Sequence, residues 1–374
     1  MTAGRADVVI AGAGALGLSI AFELARRSVD VVVFDRGVAA GRGTSALAAA
    51  AGMVNPQAHP GVEPEPVRDL ALLSRHLYAD WIESIESEGG MSCEYDARGG
   101  LTVALTEGQE VELDRSLDWQ RARGLPFEVL SADGGRGREP QLGPGVRAAF
   151  FFPHEGQVPP ARLGRALALA ALSAGVRILE GTPVFRVLSE GGRAVGVETS
   201  AGRFDSEFVV NAMGAWSGAL EGAPSTPVTP VRGQAVALDA SADPDRLSRF
   251  VFAPGVYLVP RRDGTVIVGS TLERVGFDVR VTAGGVSSIL ERASRVVPAI
   301  LGYPLVDAWA GLRPATPDEI PVLGETALTG YFLASGHYKN GVLLAPASAV
   351  VMADLLTRER PPLPIAPFSP GRFD

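Results

Sequence analysis

The chain is poor in cysteine and histidine. Cys93 is its one thiol in 374 residues, which excludes an internal disulfide and fits a reducing compartment. The four histidines, His59, His76, His154 and His337, are scattered, and two lie in Pro-rich loops. No metal site is therefore expected. There is no G-x-S-x-G elbow, no H-E-x-x-H and no C-x-x-C, so the motif-borne hydrolase, metalloprotease and dithiol chemistries are not indicated. If the chain is an enzyme, its hard chemistry belongs to an organic cofactor. No apolar run reaches the ~18 residues of a membrane span; Ala46–Val54 is mostly alanine and glycine and is too short. Met1–Ala6 is too short for a secretory leader, because Asp7 already opens a strand, so the cytoplasm is the expected location. The formal net charge is −8 with no basic stripe, and nucleic acid is not expected as a partner.

What is present is turn chemistry: 45 Gly and 28 Pro spread along a chain of 374 residues. That load implies many short strands, and the length suits two domains. The clearest signal is DVVIAGAGALGLSIAFELARRSVDVVVFDRG. Val8–Ala11 is a continuous apolar run, as in a strand buried on both faces. Gly12, Gly14 and Gly17 follow at G-x-G-x-x-G spacing, Leu18–Arg27 reads as a helix, and Val31–Phe34 is a second buried strand ended by Asp35. The first glycine permits a tight turn, the second lets a pyrophosphate approach the backbone, and the third lets helix and strand pack closely. The helix N-terminus offers free N–H groups to the phosphates, and Asp35 is placed to accept from ribose hydroxyls. This predicts dinucleotide binding without separating NAD from FAD. A second polar, small-residue contact follows at Thr44, Ser45, Ala51 and Gly52; the plainer alternative is a surface loop.

Further along, Asp69–Gly89 and Gln109–Arg123 read as helices, and Gly100–Leu105 as a strand. Arg162–Ala174 is an Ala/Leu-rich helix. Val176–Glu180, Val184–Leu188, Ala194–Thr199, Gly202–Asp205 and Phe208–Asn211 read as strands, the last followed by the small residues Ala212, Gly214 and Ala215. An antiparallel block runs through PVRGQAVAL, VFAPGVYLVPRRDG and TVIVGSTLE before a helix at Val286–Val297. The last segment, SGHYKNGVLLAPASAVVMADLL, sends a polar clasp into an apolar helix from about Val342, with Lys339 and no acid where a helix start usually carries one. The economical architecture is two interleaved α/β domains with a site between them.

These motifs together resemble the D-amino-acid-oxidase-like flavoproteins, and within them the glycine oxidases of bacterial thiamine biosynthesis. The resemblance runs from Asp7 to about Leu356 and rests on the glycine motif, TSALAAAAGM, YLVPRRDGTVIVGSTLE, WAGLRPATPDEIPVLG and GHYKNGVLLAP. It implies a Rossmann-like FAD-binding domain over 1–86, 150–222 and 308–374, interleaved with an α+β, antiparallel-sheet substrate domain over 87–149 and 223–307. Non-covalent FAD is the implied cofactor. Positions implied to hold it are Gly12, Gly14, Ala15, Leu16, Gly17, Asp35, Arg36, Gly43, Thr44, Ser45, Ala51, Gly52, Met53, Val184 and Gly214, then His337, Tyr338, Lys339, Asn340, Gly341, Val342 and Leu343. The substrate-carboxylate arginine falls on Arg313 and the active-site tyrosine on Tyr257, both expected to be catalytic, with Leu272 and Lys339 also toward the substrate. The chain departs from the family pattern in three places: three additional residues before Gly52-Met53, Lys339 in place of arginine, and Leu272 in place of a methionine. Gly311 occupies the place where related sarcosine oxidases tether flavin through a cysteine.

The implied reaction is oxidative deamination of glycine or another small amine or D-amino acid. A guanidinium fork at Arg313 would fix the carboxylate, and hydride would pass from the α-carbon to FAD. The imine would hydrolyse to glyoxylate and ammonia or pass to a thiazole synthase, and O₂ would give H₂O₂. A sarcosine, D-alanine or D-proline enzyme, or one using quinone, is the alternative. Homo-oligomer formation is common in such families. At the clasp, free N–H groups of the last helix would face the flavin edge that gathers negative charge. Lys339 adds charge there or faces solvent.

Overall fold

The computed structural model describes residues 2–40, 45–58 and 63–373. Its strands in chain order are β1 (Thr2–Ala11), β2 (Val31–Phe34), β3 (Met53–Val54), β4 (Gly100–Ala104), β5 (Glu128–Ser131), β6 (Ala148–Phe152), β7 (Gly156–Gln157), β8 (Arg177–Leu179) and β9 (Val184–Glu190). They continue with β10 (Arg193–Thr199), β11 (Gly202–Asn211), β12 (Thr229–Asp239), β13 (Val251–Ala253), β14 (Val256–Pro260), β15 (Thr265–Gly269), β16 (Leu305–Ala315), β17 (Val322–Glu325) and β18 (Tyr331–Ser335). The α-helices are α1 (Ala15–Arg26), α2 (Ala46–Ala49), α3 (Glu65–Gly89), α4 (Glu107–Ser116), α5 (Asp118–Ala122), α6 (Ala132–Arg138), α7 (Pro160–Ser173), α8 (Ala283–Val296) and α9 (Gly341–Thr357).

The strands form two large sheets. The first has the order β17-β18-β11-β1-β2-β8, with β10 and β9 added beside β11. Its centre is parallel, and β1 and β2 are apolar on both faces because helices and strands cover both sides. Helices α1, α3, α7 and α9 share one core, built on residues such as Leu18, Leu24, Leu70, Tyr78, Leu167, Leu344 and Met352. The second sheet has the order β16-β12-β15-β14-β13-β4-β6-β5; its neighbours are antiparallel except β13 and β4. Helix α8 covers one of its faces through Ile289, Ala293 and Val296. Strand β16 runs across position 308, the boundary expected from sequence.

Several elements differ from the sequence expectation, for physical reasons. β1 starts at Thr2 rather than at Asp7, because its first half pairs with Arg203–Ser206 of β11; pairing, not hydrophobicity, extends it. The same partner makes β11 one strand where two were expected, since β1 lines one of its edges and β10 the other. The expected helix Gln109–Arg123 is two helices meeting at the buried Leu117. The segment after Ser45, for which a ligand contact was expected and a surface loop was the alternative, forms the short helix α2, whose N–H of Ala48 donates to Ser45 Oγ.

Candidate active site

The carboxyl ends of β1, β2, β11 and β18 open onto one cavity of about 760 Å³, which the second sheet closes from the other side through β14 and β16. This is the position at which open α/β sheets bind ligands. The turn after β1 explains its glycines. Gly12 has φ +107, and a Cβ there would lie 2.5 Å from the Ala212 carbonyl oxygen. A Cβ on Gly17 would lie 1.8 Å from the Gly12 carbonyl oxygen, so Gly17 serves helix–turn packing and does not line the cavity. Gly14 faces open space and lines the cavity with Ala15 and Leu16. The first α1 ladder bond is Leu18 N–H to the Gly14 carbonyl, which leaves the N–H groups of the cavity-lining Gly14, Ala15 and Leu16 open to a ligand. Asp35 shapes this turn: its Oδ2 accepts from Ala13 N–H at 2.8 Å and its Oδ1 from Gly37 N–H at 2.7 Å. Arg36 lies over the Trp216 ring at 4.0 Å, and both line the same end.

Helix α9 brings a second N-terminus to the cavity. It has no acidic residue in its first turn, and Asn340 makes no side-chain cap bond. The chain reaches it through Gly336 at φ 78 and Tyr338 at φ 45. Pro346 sits inside the helix and cannot donate to the Val342 carbonyl. That carbonyl accepts instead from Tyr78 Oη at 3.3 Å, and the Leu343 carbonyl accepts from Ser74 Oγ at 2.6 Å. Helix α3 thus repairs the interrupted ladder. His337 is buried, with Nε2 2.9 Å from Ser348 Oγ; burial pushes its pKa down to about 3, so it is neutral. The acid missing from the helix start is supplied from elsewhere: Asn340 Nδ2 donates to Glu63 Oε2 at 2.9 Å, and Lys339 Nζ lies 3.9 Å from Glu63 Oε1. The half-exposed Lys339 is therefore an ion-pair partner as well as a cavity-lining residue.

The opposite wall of the cavity is built from the second sheet. On β16, Arg313 donates from Nη1 to the Thr271 carbonyl at 3.2 Å and from Nη2 to Ser270 Oγ at 2.7 Å. Among the described residues no carboxylate forms an ion pair with it. Its guanidinium occupies the space over Gly233 of β12, where a Cβ would come within 2.2 Å of both terminal nitrogens. Tyr257 is accommodated in the same way: a Cβ on Gly269 of β15 would lie 2.4 Å from its hydroxyl. Behind Ser270 and Thr271, Thr271 Oγ1 donates to Glu273 Oε2 at 2.9 Å, and Arg232 holds that carboxylate with bonds of 2.8 and 3.2 Å. The Arg232 bonds hold the Glu273 pKa down at about 2. Arg313 is thus seated on a segment that is itself fixed by charge.

Most of the residues expected from sequence meet here. Gly12, Gly14, Ala15, Leu16, Asp35, Arg36, Ser45, Ala51, Gly52, Met53, Val184, Gly214 and His337–Val342 line the cavity, with Tyr257, Leu272 and Arg313. Gly17 and Leu343 stand behind the wall. Gly43 and Thr44 lie outside the described residues. Leu272 is 57% exposed, a rim position. Sequence reasoning missed Glu63, Trp216, Asn55, Gly233 and Gly269. Asn55 lines the cavity with its Nδ2 buried and unpartnered; nothing in its local sequence marks it. The two glycines stood in the quoted strands, but their use depends on which strands pair.

A dinucleotide fits this arrangement: two helix N-termini with free N–H groups, an orphaned amide donor and a glycine-cleared turn all face one cavity. The one thiol, Cys93, is buried in the helical core, and burial pushes its pKa up to about 12. Gly311, at the place of the tethering cysteine in related proteins, packs against α2, where a Cβ would meet the Ala49 Cβ at 2.2 Å.

Comparison with known proteins agrees. Residues 7–355 match the family described as FAD dependent oxidoreductase. The chain is 38% identical over 371 residues to the glycine oxidase of Geobacillus kaustophilus, covering 98% of this chain and 96% of that one. The crystal structure of glycine oxidase from that organism superposes with a TM-score of 0.92, covering 98% of both chains at 37% identity. It is 36% identical to the bifunctional protein ThiO/ThiG of Trichormus variabilis over 98% of this chain, and spans only 55% of that relative's length. The L-proline dehydrogenase structure from P. horikoshii matches with a TM-score of 0.89 at 25% identity, over 99% of this chain and 98% of that one.

Proposed function

The chain belongs to the FAD dependent oxidoreductase family, and we propose that it oxidises a small amino acid, glycine first, to its imine. Bound FAD supplies the two-electron acceptor. The imine takes up water to give glyoxylate and ammonia, and O₂ is reduced to H₂O₂. The observation that carries this reading is Arg313: a guanidinium with no carboxylate partner among the described residues, fixed by Thr271 and Ser270, in the cavity that both helix N-termini face. A planar fork of this kind binds a carboxylate through parallel hydrogen bonds, and holding the α-carbon in place is most of what hydride transfer asks of the protein. Tyr257 shapes the same wall and can donate to the carboxylate.

Among the described residues the cavity offers no free base. Asp35 is held by two backbone N–H groups, Glu221 is paired with Arg186 at 2.8 Å, and His337, whose Nε2 is bonded to Ser348, is kept a weak base by burial, with a pKa of about 3. The substrate amine must therefore lose its proton before binding, and kcat/KM rises with pH toward the amine's own deprotonation; a flat profile from about pH 6 to 10 contradicts this. The resemblance to the thiamine-pathway glycine oxidases, and the joining of ThiO to ThiG in one relative, support a role in thiamine thiazole biosynthesis, with the imine handed to a thiazole synthase. A second reading, oxidation of sarcosine, D-alanine or D-proline with O₂ or a quinone, is favoured by the exposed Leu272 rim and the likeness to a dehydrogenase. A peroxide assay across these four substrates decides: glycine first in kcat/KM supports the first reading, and no peroxide from any of them removes the oxidase.

A further inference from the structure

A second cavity, of about 370 Å³, lies apart from the first and is lined by Arg98, Arg246, Arg261, Arg262 and Gln157 together with Glu94 and Asp96. Its charges do not cancel. Asp96 is taken by Arg98 through bonds of 2.8 and 2.6 Å, and Glu94 pairs with Arg162 at 3.2 Å. Asp263, the remaining acid near Arg261, caps Thr265 N–H at 2.9 Å. Among the described residues Arg246, Arg261 and Arg262 form no ion pair. Arg98, Arg246 and Arg262 are exposed, while Gln157 is 6% exposed, so the arginines form a rim around a buried amide.

Two polar atoms of this lining are buried without a partner: Arg261 Nη1, a donor, and Gln157 Oε1, an acceptor. Such atoms cost free energy unless something satisfies them. We propose that this cavity is a binding site for a small oxyanion that carries its own O–H or N–H donor, a phosphate monoester or a hydroxycarboxylate. The oxyanion is held by Arg261, Arg262 and Arg246, and its donor meets Gln157. The site touches the flavin cavity through two links. Arg261 Nη2 donates to the carbonyl of Ala51, which lines the first cavity, and the Gln157 backbone pairs with that of Met53 across β3 and β7.

The test is calorimetric titration of the FAD-loaded protein with inorganic phosphate, glycerol phosphate and tartrate, with ionic strength held by chloride. Saturable one-site binding is expected, retained in Arg313→Ala and weakened about tenfold or more in Arg262→Ala and in Arg246→Ala. Preference for the phosphates or for tartrate identifies the source of the oxyanion. Absence of saturable heat with all three probes overturns the proposal. So does unchanged affinity in both rim variants, or loss confined to Arg313→Ala, which would place the anion in the first cavity.

Discussion

Helices α1 and α9 deliver their N-termini to the same cavity by opposite means. At α1 most devices are local: a turn cleared by Gly12 and Gly17, the first of them against the distant Ala212 carbonyl, and an aspartate 22 residues on that ties down Ala13. At α9 the devices come from far away in the chain. Ser74 and Tyr78 of α3 serve carbonyls freed around Pro346, and Glu63 reaches Asn340 from 277 positions off. Both helices lack an acidic first turn. At α1 no acid bonds to the helix start itself, whereas at α9 a carboxylate arrives in space to balance Lys339. A helix N-terminus that serves a ligand can thus be kept open by local sequence or by a tertiary frame, and the two should fail differently.

The contrast breaks most sharply at α1. Gly17→Val drives side-chain atoms into the Gly12 carbonyl and should cost more than about 4 kcal/mol; the variant is expected to purify without FAD or not at all. Next is pH. Because the folded His337 pKa lies near 3, below its unfolded value, its neutral form stabilises the fold above about pH 6.5. That contribution is lost as pH falls toward 3, by at most ~1.4 kcal/mol per unit. His337→Asn should flatten the acid limb of a urea-denaturation series. Ser74→Ala leaves the Leu343 carbonyl without its side-chain donor and should cost about 1–3 kcal/mol, with FAD affinity falling alongside; Ser84→Ala, at a partly exposed α3 serine bonded to its own helix, is the control. The smallest effect is expected at Glu63. Glu63→Gln removes the balancing charge beside α9 and should raise the flavin potential by about 20 mV, equivalent to roughly 1 kcal/mol; a lowered potential would mean that Glu63 acts through structure alone.

The same contrast measures what sequence could show. The β1–α1–β2 unit was legible because its apolar runs, glycine spacing and terminal Asp35 are contiguous. Much of the cavity wall was legible through family motifs, including Arg313 and Tyr257. What was not legible depends on pairing. Gly233 and Gly269 are ordinary letters in apolar strands until β12 pairs with β16 and β14 with β15, when they become the spaces that seat Arg313 and Tyr257 respectively. Glu63 was invisible for the same reason: the sequence places it ahead of α3, and only the fold carries it to the clasp.

The central claim is that Arg313 holds a substrate carboxylate in this cavity. It is tested most directly by steady-state kinetics of glycine oxidation in FAD-loaded Arg313→Ala, compared with the unaltered protein at one pH. Loss of a charge-assisted, paired contact should lower kcat/KM by about 10²–10³-fold while flavin content and absorbance stay the same. Unchanged kcat and KM with full flavin content would contradict the account.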